Sequence, residues 1–461
     1  MPAKGKAPKV PHRTRESGAG CRPSRGEMGP QGPTQMDERR IDVARLVIEG
    51  HYPLYGEVSV EGSKNSALPI IAAAALAQEG TSVLENVPRY TDILDLCQIL
   101  RELGANVEWI GDRNLQISAE NLCNYHAPYN LAKKLRGSTY VVGLLLARLK
   151  QADVAFPGGC QIGSRPVNFH VQGFQALGAT MWLEHGSIHG KVEQSLKGNR
   201  VYIERTSFGT TINLMIAASL ASGTTTLENA AMEPEVVDLA NFLNAMGAKI
   251  RGAGTNFIRI EGVDVLHGVR HEIIPDRLEA GTYLIAAGVT GGVVTVANVI
   301  AEHLRTVLLK LEQAGARIEE DMDRIHIQVE DRLKSVDIET LPHPGFPTDL
   351  HPQMVGCLSL ADGVAVVQET VFENRFGYAH ELVRLGADIN LERETAIVRG
   401  VPELTGAPVQ AQDIRGGAAL VLAGLGALGT TVVEGVEYID RGYHGLEEKL
   451  ARLGARIYRE A

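Results

Sequence analysis

Ile99-Leu-Arg-Glu-Leu-Gly-Ala-Asn-Val-Glu-Trp109 reads as the end of a helix, a Gly-Ala stop and the start of a strand. The same text returns five times: from Gly173 (GFQALGATMWL), Asn241 (NFLNAMGAKIRG), Leu308 (LLKLEQAGARIEE), His380 (HELVRLGADINL) and Glu447 (EEKLARLGARIYR). The glycines at 104, 178, 247, 315, 386 and 454 are 74, 69, 68, 71 and 68 residues apart, a spacing too regular for chance. Glycine takes the left-handed cap that ends a helix, and the chain then turns into a strand. Ahead of each stop lies a second run that is small and apolar on nearly every side: Ala67–Ala77, Val141–Ala147, Asn213–Ala221, Gly281–Val289, Met354–Leu360 and Ala418–Leu425. A helix apolar all round is buried all round. Each unit therefore reads as buried helix, strand, exposed helix and one or two further strands. A unit of this length and strand content predicts compact α/β lobes rather than an open solenoid.

The rest of the composition bounds the chemistry. The 461 residues hold a formal charge of −10, and residues 1–40 carry nine Lys/Arg against four Asp/Glu, so the remaining body is strongly acidic. An acidic body is a poor general partner for nucleic acid. The basic, Pro/Gly/Ser-rich segment 1–40 has no apolar core of a signal peptide and reads as disordered. No apolar run reaches the length of a membrane span. Five cysteines at 21, 97, 123, 160 and 357 form no paired framework and no zinc spacing, which points to a reducing cytoplasm and no metal. Cys97, Cys123 and Cys357 read as inert, buried side chains.

Polar residues at the starts of the buried helices are the informative ones: Lys64-Asn65, Arg136-Gly137-Ser138, Ser207-Phe208-Gly209-Thr210, Asp349 and Arg415-Gly416-Gly417. Helix starts favour anions. Capping accounts for Ser207 and Asp349 but not for cations at three such ends. Their convergence predicts a phosphate- or carboxylate-bearing ligand. A constrained loop, Pro157-Gly-Gly-Cys160-Gln-Ile-Gly-Ser-Arg165-Pro166, sets a cysteine close to an arginine, the context that lowers a thiol pKa. Arg375 and Arg441 each follow acidic neighbours, as surface ion pairs do.

These motifs, together with Gly62-Ser-Lys-Asn-Ser-Ala-Leu-Pro69, Glu228-Asn-Ala-Ala-Met-Glu-Pro-Glu235, Pro275-Asp-Arg-Leu-Glu-Ala-Gly281, Phe346-Pro-Thr-Asp349, Phe372-Glu-Asn-Arg-Phe376 and Ile439-Asp-Arg-Gly-Tyr443, resemble the bacterial enolpyruvyl transferase family over residues 45–460. The resemblance implies an inside-out α/β barrel of two lobes, each of three βαβαββ units, with the site in the cleft between them. Residues 41–63 and 275–461 would form one lobe and 64–274 the other. The implied reaction moves the enolpyruvyl group of phosphoenolpyruvate to the 3-hydroxyl of UDP-N-acetylglucosamine and releases phosphate, the first committed step of peptidoglycan synthesis, with no metal or dissociable cofactor.

By the same resemblance Cys160 protonates the methylene carbon and is the residue fosfomycin alkylates, and Asp349 takes the hydroxyl proton. Lys64, Arg165 and Arg441 would surround phosphoenolpyruvate, with Arg375 and Arg415 toward its carboxylate. Asn65 and Val371 would contact the sugar. Arg136, Pro166, Val167, Asn168, Arg205, Ser207 and Gly209 would line the nucleotide. Asn168 stands where the family usually carries Asp, which exchanges a charge for a donor and keeps open a different nucleotide acceptor. A UDP-sugar-binding protein without turnover is the reading from another class.

Overall fold

The computed structural model describes residues 44–156 and 167–460. All six Gly-Ala glycines take the left-handed conformation, with φ of 104° at Gly104, 90° at Gly178, 110° at Gly247, 111° at Gly315, 94° at Gly386 and 97° at Gly454. At Gly104 an added Cβ would also lie 2.7 Å from the Asn121 carbonyl oxygen, so backbone and space both require glycine.

Among the described residues, twelve helices of six or more residues alternate in kind. The odd-numbered ones are α1 (Lys64–Ala74), α3 (Tyr140–Leu149), α5 (Phe208–Ala218), α7 (Arg277–Thr290), α9 (His351–Leu358) and α11 (Ile414–Gly426). They are the buried set: in α1 every residue but Asn65 is buried. The even-numbered ones are α2 (Thr91–Glu102), α4 (Asn168–Ala176), α6 (Pro234–Ala245), α8 (Arg305–Ala314), α10 (Ala379–Arg384) and α12 (Leu446–Arg452). Helix α8 shows their pattern, burying Val307, Leu308, Leu311 and Ala314 along one stripe. The buried helices begin up to five residues before the apolar runs, because their polar residues form the first turn rather than preceding it. Small residues let them pack closely: Gly143 of α3 donates its N–H to Asn213 Oδ1 of α5 at 2.9 Å.

Among the described residues, six sheets repeat one plan. In one of them Arg270–Glu272 runs parallel to Ser82–Glu85, which pairs antiparallel with Asn114–Ser118, and that strand pairs with Asn106–Ile110. Two sheets are completed by the start of the described chain. Leu54–Ser59 pairs parallel with Gly292–Ala297, and Arg45–Glu49 lies between Thr430–Glu434 and Arg456–Glu460. The sheet of Gln151–Ala155 has three strands, with the His126–Asp153 bridge where the parallel strand stands elsewhere.

Two hydrophobic cores result, one drawn from residues 67–273 and the other from 46–60 and 278–457. The chain passes between them twice, and the passages pair: Ser63 N–H donates to Ile274 O at 2.7 Å, and Asp276 N–H to Glu61 O at 2.8 Å. Cys97 and Cys357 are buried, and burial pushes both thiols up to about 12. Cys123 is exposed, against expectation: it lies in the turn after Asn114–Ser118, where cysteine's apolar character had no core to enter. No helix of the described residues is long and apolar enough to cross a membrane.

Candidate active site

The two passages set α1 and α7 starting side by side. Asp276 caps α7 through Leu278 N–H at 2.8 Å and Glu279 N–H at 3.1 Å, and its other oxygen accepts from Lys64 N–H at the start of α1, 3.3 Å away. One carboxylate thus serves two helix ends. Lys64 is only 7% exposed. Its Nζ donates to Asp92 Oδ2 at 3.2 Å, and Arg441 Nε donates to Asp92 Oδ1 at 3.0 Å from the other core. Burial holds the Lys64 ammonium below its usual pKa; Asp92 opposes that shift, and the charges of Arg415 and Arg441 add to it.

A second carboxylate bridges a second pair of cations. Asp349 Oδ1 accepts from Arg375 Nη2 at 3.2 Å, and Oδ2 from Arg415 Nε at 3.3 Å. The expected capping role fails: the N-cap position of α9 is Leu350, without a side-chain cap, and Asp349 turns to the arginines. Arg375 is 2% exposed and also donates to Thr348 O, so the expectation of a surface ion pair fails as well. Arg415, 4% exposed, sits with its guanidinium carbon 5.2 Å from the Tyr443 ring centroid. Burial works against its charge and is outweighed by Tyr443, Asp349 and Asp276, which raise its pKa. Arg415 Nη1 is buried with no hydrogen-bond partner among the described residues, a donor left for something else. The cap of α11 is Asp413, which accepts from Arg415 and Gly416 N–H, each at 3.0 Å.

Behind this pair Glu369, 2% exposed, accepts from Thr348 Oγ1 at 2.8 Å, Val371 N–H at 2.8 Å and Phe372 N–H at 3.0 Å. It fixes the residue before Asp349 and the backbone at Val371 together. The Val371 carbonyl accepts in turn from Arg205 Nη2 at 2.7 Å, while Arg205 Nη1 lies 3.5 Å from Glu373. Arg205 belongs to the segment before α5, so this contact also spans the two cores.

The third group lies at the starts of α3, α4 and α5. Ser207 caps α5 as expected, accepting from Thr210 N–H at 3.3 Å. His170 of α4 approaches Asn213 Nδ2 at 3.1 Å and would contact a side chain at Gly209. Burial, then the charge of Arg136, lowers its pKa to about 4. Val167 and Asn168 open α4, Asn168 exposed, and Asn65 is partly buried in the first turn of α1. Cys160, Arg165 and Pro166 lie outside the described residues.

Sequence reasoning passed over Asp92, Asp276, Glu369, Asp413 and His170. Asp276 and Asp413 had a local signal, an acid directly before a buried helix. Asp92 had none, since its partners come from other segments, Arg441 being 349 residues away. Glu369 accepts from N–H groups two and three residues on, a local pattern that reads as an ordinary turn until Thr348 joins it.

Residues 48–450 match the family model described as EPSP synthase (3-phosphoshikimate 1-carboxyvinyltransferase). The chain is 58% identical over 416 residues to UDP-N-acetylglucosamine 1-carboxyvinyltransferase 2 of Symbiobacterium thermophilum, covering 90% of this chain and 98% of that one. It is 49% identical over 415 residues to UDP-N-acetylglucosamine 1-carboxyvinyltransferase 1 of Halalkalibacterium halodurans, covering 90% and 94%. Among solved structures it resembles the enolpyruvyl transferase NikO from Streptomyces tendae, with a TM-score of 0.82, 26% identity and coverage of 90% and 99%. EPSP synthase from Acinetobacter baumannii, at 21% identity and a TM-score of 0.74 over 91% and 100%, shares the fold. By family model, sequence identity over nearly the whole of its relatives, and two-lobed architecture, the chain belongs to the enolpyruvyl transferases, in the group of the UDP-N-acetylglucosamine 1-carboxyvinyltransferases.

Proposed function

We propose that this protein transfers the enolpyruvyl group of phosphoenolpyruvate to the 3-hydroxyl of UDP-N-acetylglucosamine, in the cytoplasm, as the entry step to peptidoglycan. The observation that carries the reading is the double bridge: two carboxylates, each holding two cations, with Lys64, Asp349 and Arg415 at the starts of buried helices. Phosphoenolpyruvate brings two anionic groups on one small skeleton, and two cation pairs answer them. Lys64 and Arg441, with Arg165, take the phosphate; Arg375 and Arg415 take the carboxylate, with Arg415 Nη1 the ready donor.

The chemistry is addition followed by elimination. Asp349 accepts the proton of the sugar hydroxyl as its oxygen bonds to the central carbon of phosphoenolpyruvate, and Cys160 delivers a proton to the methylene carbon. The tetrahedral adduct then gives a proton of the new methyl group back to the Cys160 thiolate and breaks its bond to the phosphate oxygen, the departing phosphate taking up the proton that Asp349 had accepted. The enol ether and inorganic phosphate leave. The cations stabilise charge that grows on phosphate as it departs. Residues 41–63 and 275–461 form the lobe that carries Asp349 and the carboxylate arginines, and 64–274 the lobe that carries the Cys160 loop. Asn65 and Val371 meet the sugar. Arg136, Arg205, Ser207, Gly209 and the Pro166-Val-Asn168 turn meet the nucleotide.

Phosphate release from phosphoenolpyruvate, measured with UDP-N-acetylglucosamine and with other nucleotide acceptors, tests the reading. Release that requires another nucleotide moves the assignment to a different acceptor, with Asn168 the first residue to exchange for Asp. Binding of the UDP-sugar without release reassigns the chain to a binding protein.

A further inference from the structure

Asp92 is buried at the second residue of α2, and its two oxygens go to different cores: Oδ2 to Lys64, Oδ1 to Arg441. Its place in the first turn of a helix suits a carboxylate. Each cation is held by only part of its donor set. Lys64 Nζ has three hydrogens and gives one to Asp92; among the described residues the hydrogen bond of the Arg441 side chain runs through Nε. The remaining ammonium hydrogens and the two Nη groups are therefore kept for an oxyanion beside the carboxylate. The same bond that orients Arg441 ties one core to the other, so the two cations are aligned only while that bridge stands.

We infer that Asp92 is a positioning residue for phosphoenolpyruvate: it aligns Lys64 and Arg441 on one phosphate and makes assembly of that anion site conditional on the approach of the two lobes. The inference rests on the reading of Lys64 and Arg441 as phosphate ligands. The groups facing Lys64 are Asp92 of α2, Arg415 of α11, Arg441 and, at its backbone N–H, Asp276; Asp95, further along α2, is coupled to Asp92 and Arg441.

Asp92→Asn keeps the shape and removes the charge. Its Michaelis constant for phosphoenolpyruvate rises about tenfold to a hundredfold, the loss of one or two charge-assisted contacts, while that for UDP-N-acetylglucosamine stays within about threefold. The alkaline limb of kcat/KM for phosphoenolpyruvate moves to lower pH, because Lys64 loses the carboxylate that supports its charge. Arg441→Ala raises the same Michaelis constant, and adding Asp92→Asn to it costs less than Asp92→Asn does alone, the remainder being the contact to Lys64. Should Asp92→Asn fail to fold, Asp92→Glu supplies the test: it keeps the charge but displaces it, so KM for phosphoenolpyruvate rises with the alkaline limb unmoved.

An unchanged or lowered KM for phosphoenolpyruvate overturns the inference, as does an equal loss for both substrates with a lowered melting temperature. Lys64→Ala and Arg441→Ala, run alongside, separate the two failures. If both leave phosphoenolpyruvate kinetics intact, the phosphate reading itself falls; if they weaken it and Asp92→Asn does not, only the role of Asp92 falls.

Discussion

Replacing Arg415 with Met removes one guanidinium and keeps most of the stem that packs beside Tyr443. In the proposed complex Arg415 presents its Nη groups to the carboxylate of phosphoenolpyruvate, two charge-assisted bonds worth roughly 1.5–3 kcal/mol each. Their loss takes about 3–6 kcal/mol from transition-state binding, which is roughly a hundredfold to ten-thousandfold in kcat/KM for phosphoenolpyruvate. Stability responds far less. The ion pair to Asp349, itself 28% exposed, and the Tyr443 contact together contribute about 1–2 kcal/mol, partly offset by relief of repulsion on Lys64. Lys64 also gains charge stability when a neighbouring cation goes, so the alkaline limb shifts to higher pH, opposite to its shift in Asp92→Asn. The assay is phosphate release across a phosphoenolpyruvate series, with calorimetric binding of UDP-N-acetylglucosamine to the free enzyme and a thermal melt. A loss of less than about tenfold in kcat/KM, or an equal loss of UDP-sugar affinity, refutes the placement of Arg415 at the substrate carboxylate.

Three more outcomes are expected. Asp349→Asn keeps the shape and an acceptor for one arginine, puts an NH2 donor against the other, and cannot take a proton; single-turnover product formation slows by about a hundredfold or more while both substrates still bind, and a near-normal rate removes Asp349 from proton transfer. Asp276→Ala strips the acceptor from three N–H groups at two helix starts and costs about 1–3 kcal/mol, read as a lower urea midpoint; an unchanged midpoint denies the shared cap. His170, neutral in the fold because its pKa drops from 6.5 to about 4, takes up its proton more readily when unfolded, so stability is intact above the unfolded pKa and falls as pH drops toward the folded one. Between pH 7 and pH 5 that group accounts for about 2 kcal/mol of lost stability, and His170→Gln shows correspondingly less acid sensitivity in urea titrations at the two pH values; equal sensitivity rejects the cause.

What the sequence disclosed and what it withheld follow from the range of each interaction. The Gly-Ala stops were legible because a left-handed cap is a property of one residue and its neighbours, and all six glycines show it. Ser207 was legible for the same reason, its cap closing within three residues. Arg375 looked like a surface residue because its acidic neighbour in sequence, Glu373, drew attention from the partners that bury it, Thr348 and Asp349 on α9's approach. Asp349 looked like a cap because a helix follows it; only the fold brings two arginines from later segments within reach of a carboxylate and makes that bond better than a local one. Asp92 carried no signal, since a lone acid in the first turn of an amphipathic helix is ordinary until Arg441 arrives from the far end of the chain.

Phosphate release from phosphoenolpyruvate by the full chain, with and without UDP-N-acetylglucosamine, bears most directly on the assigned reaction. Steady release that requires the UDP-sugar, with the enolpyruvyl ether as co-product, is the expected result. Absence of release with this acceptor, in protein that binds both substrates, would contradict it.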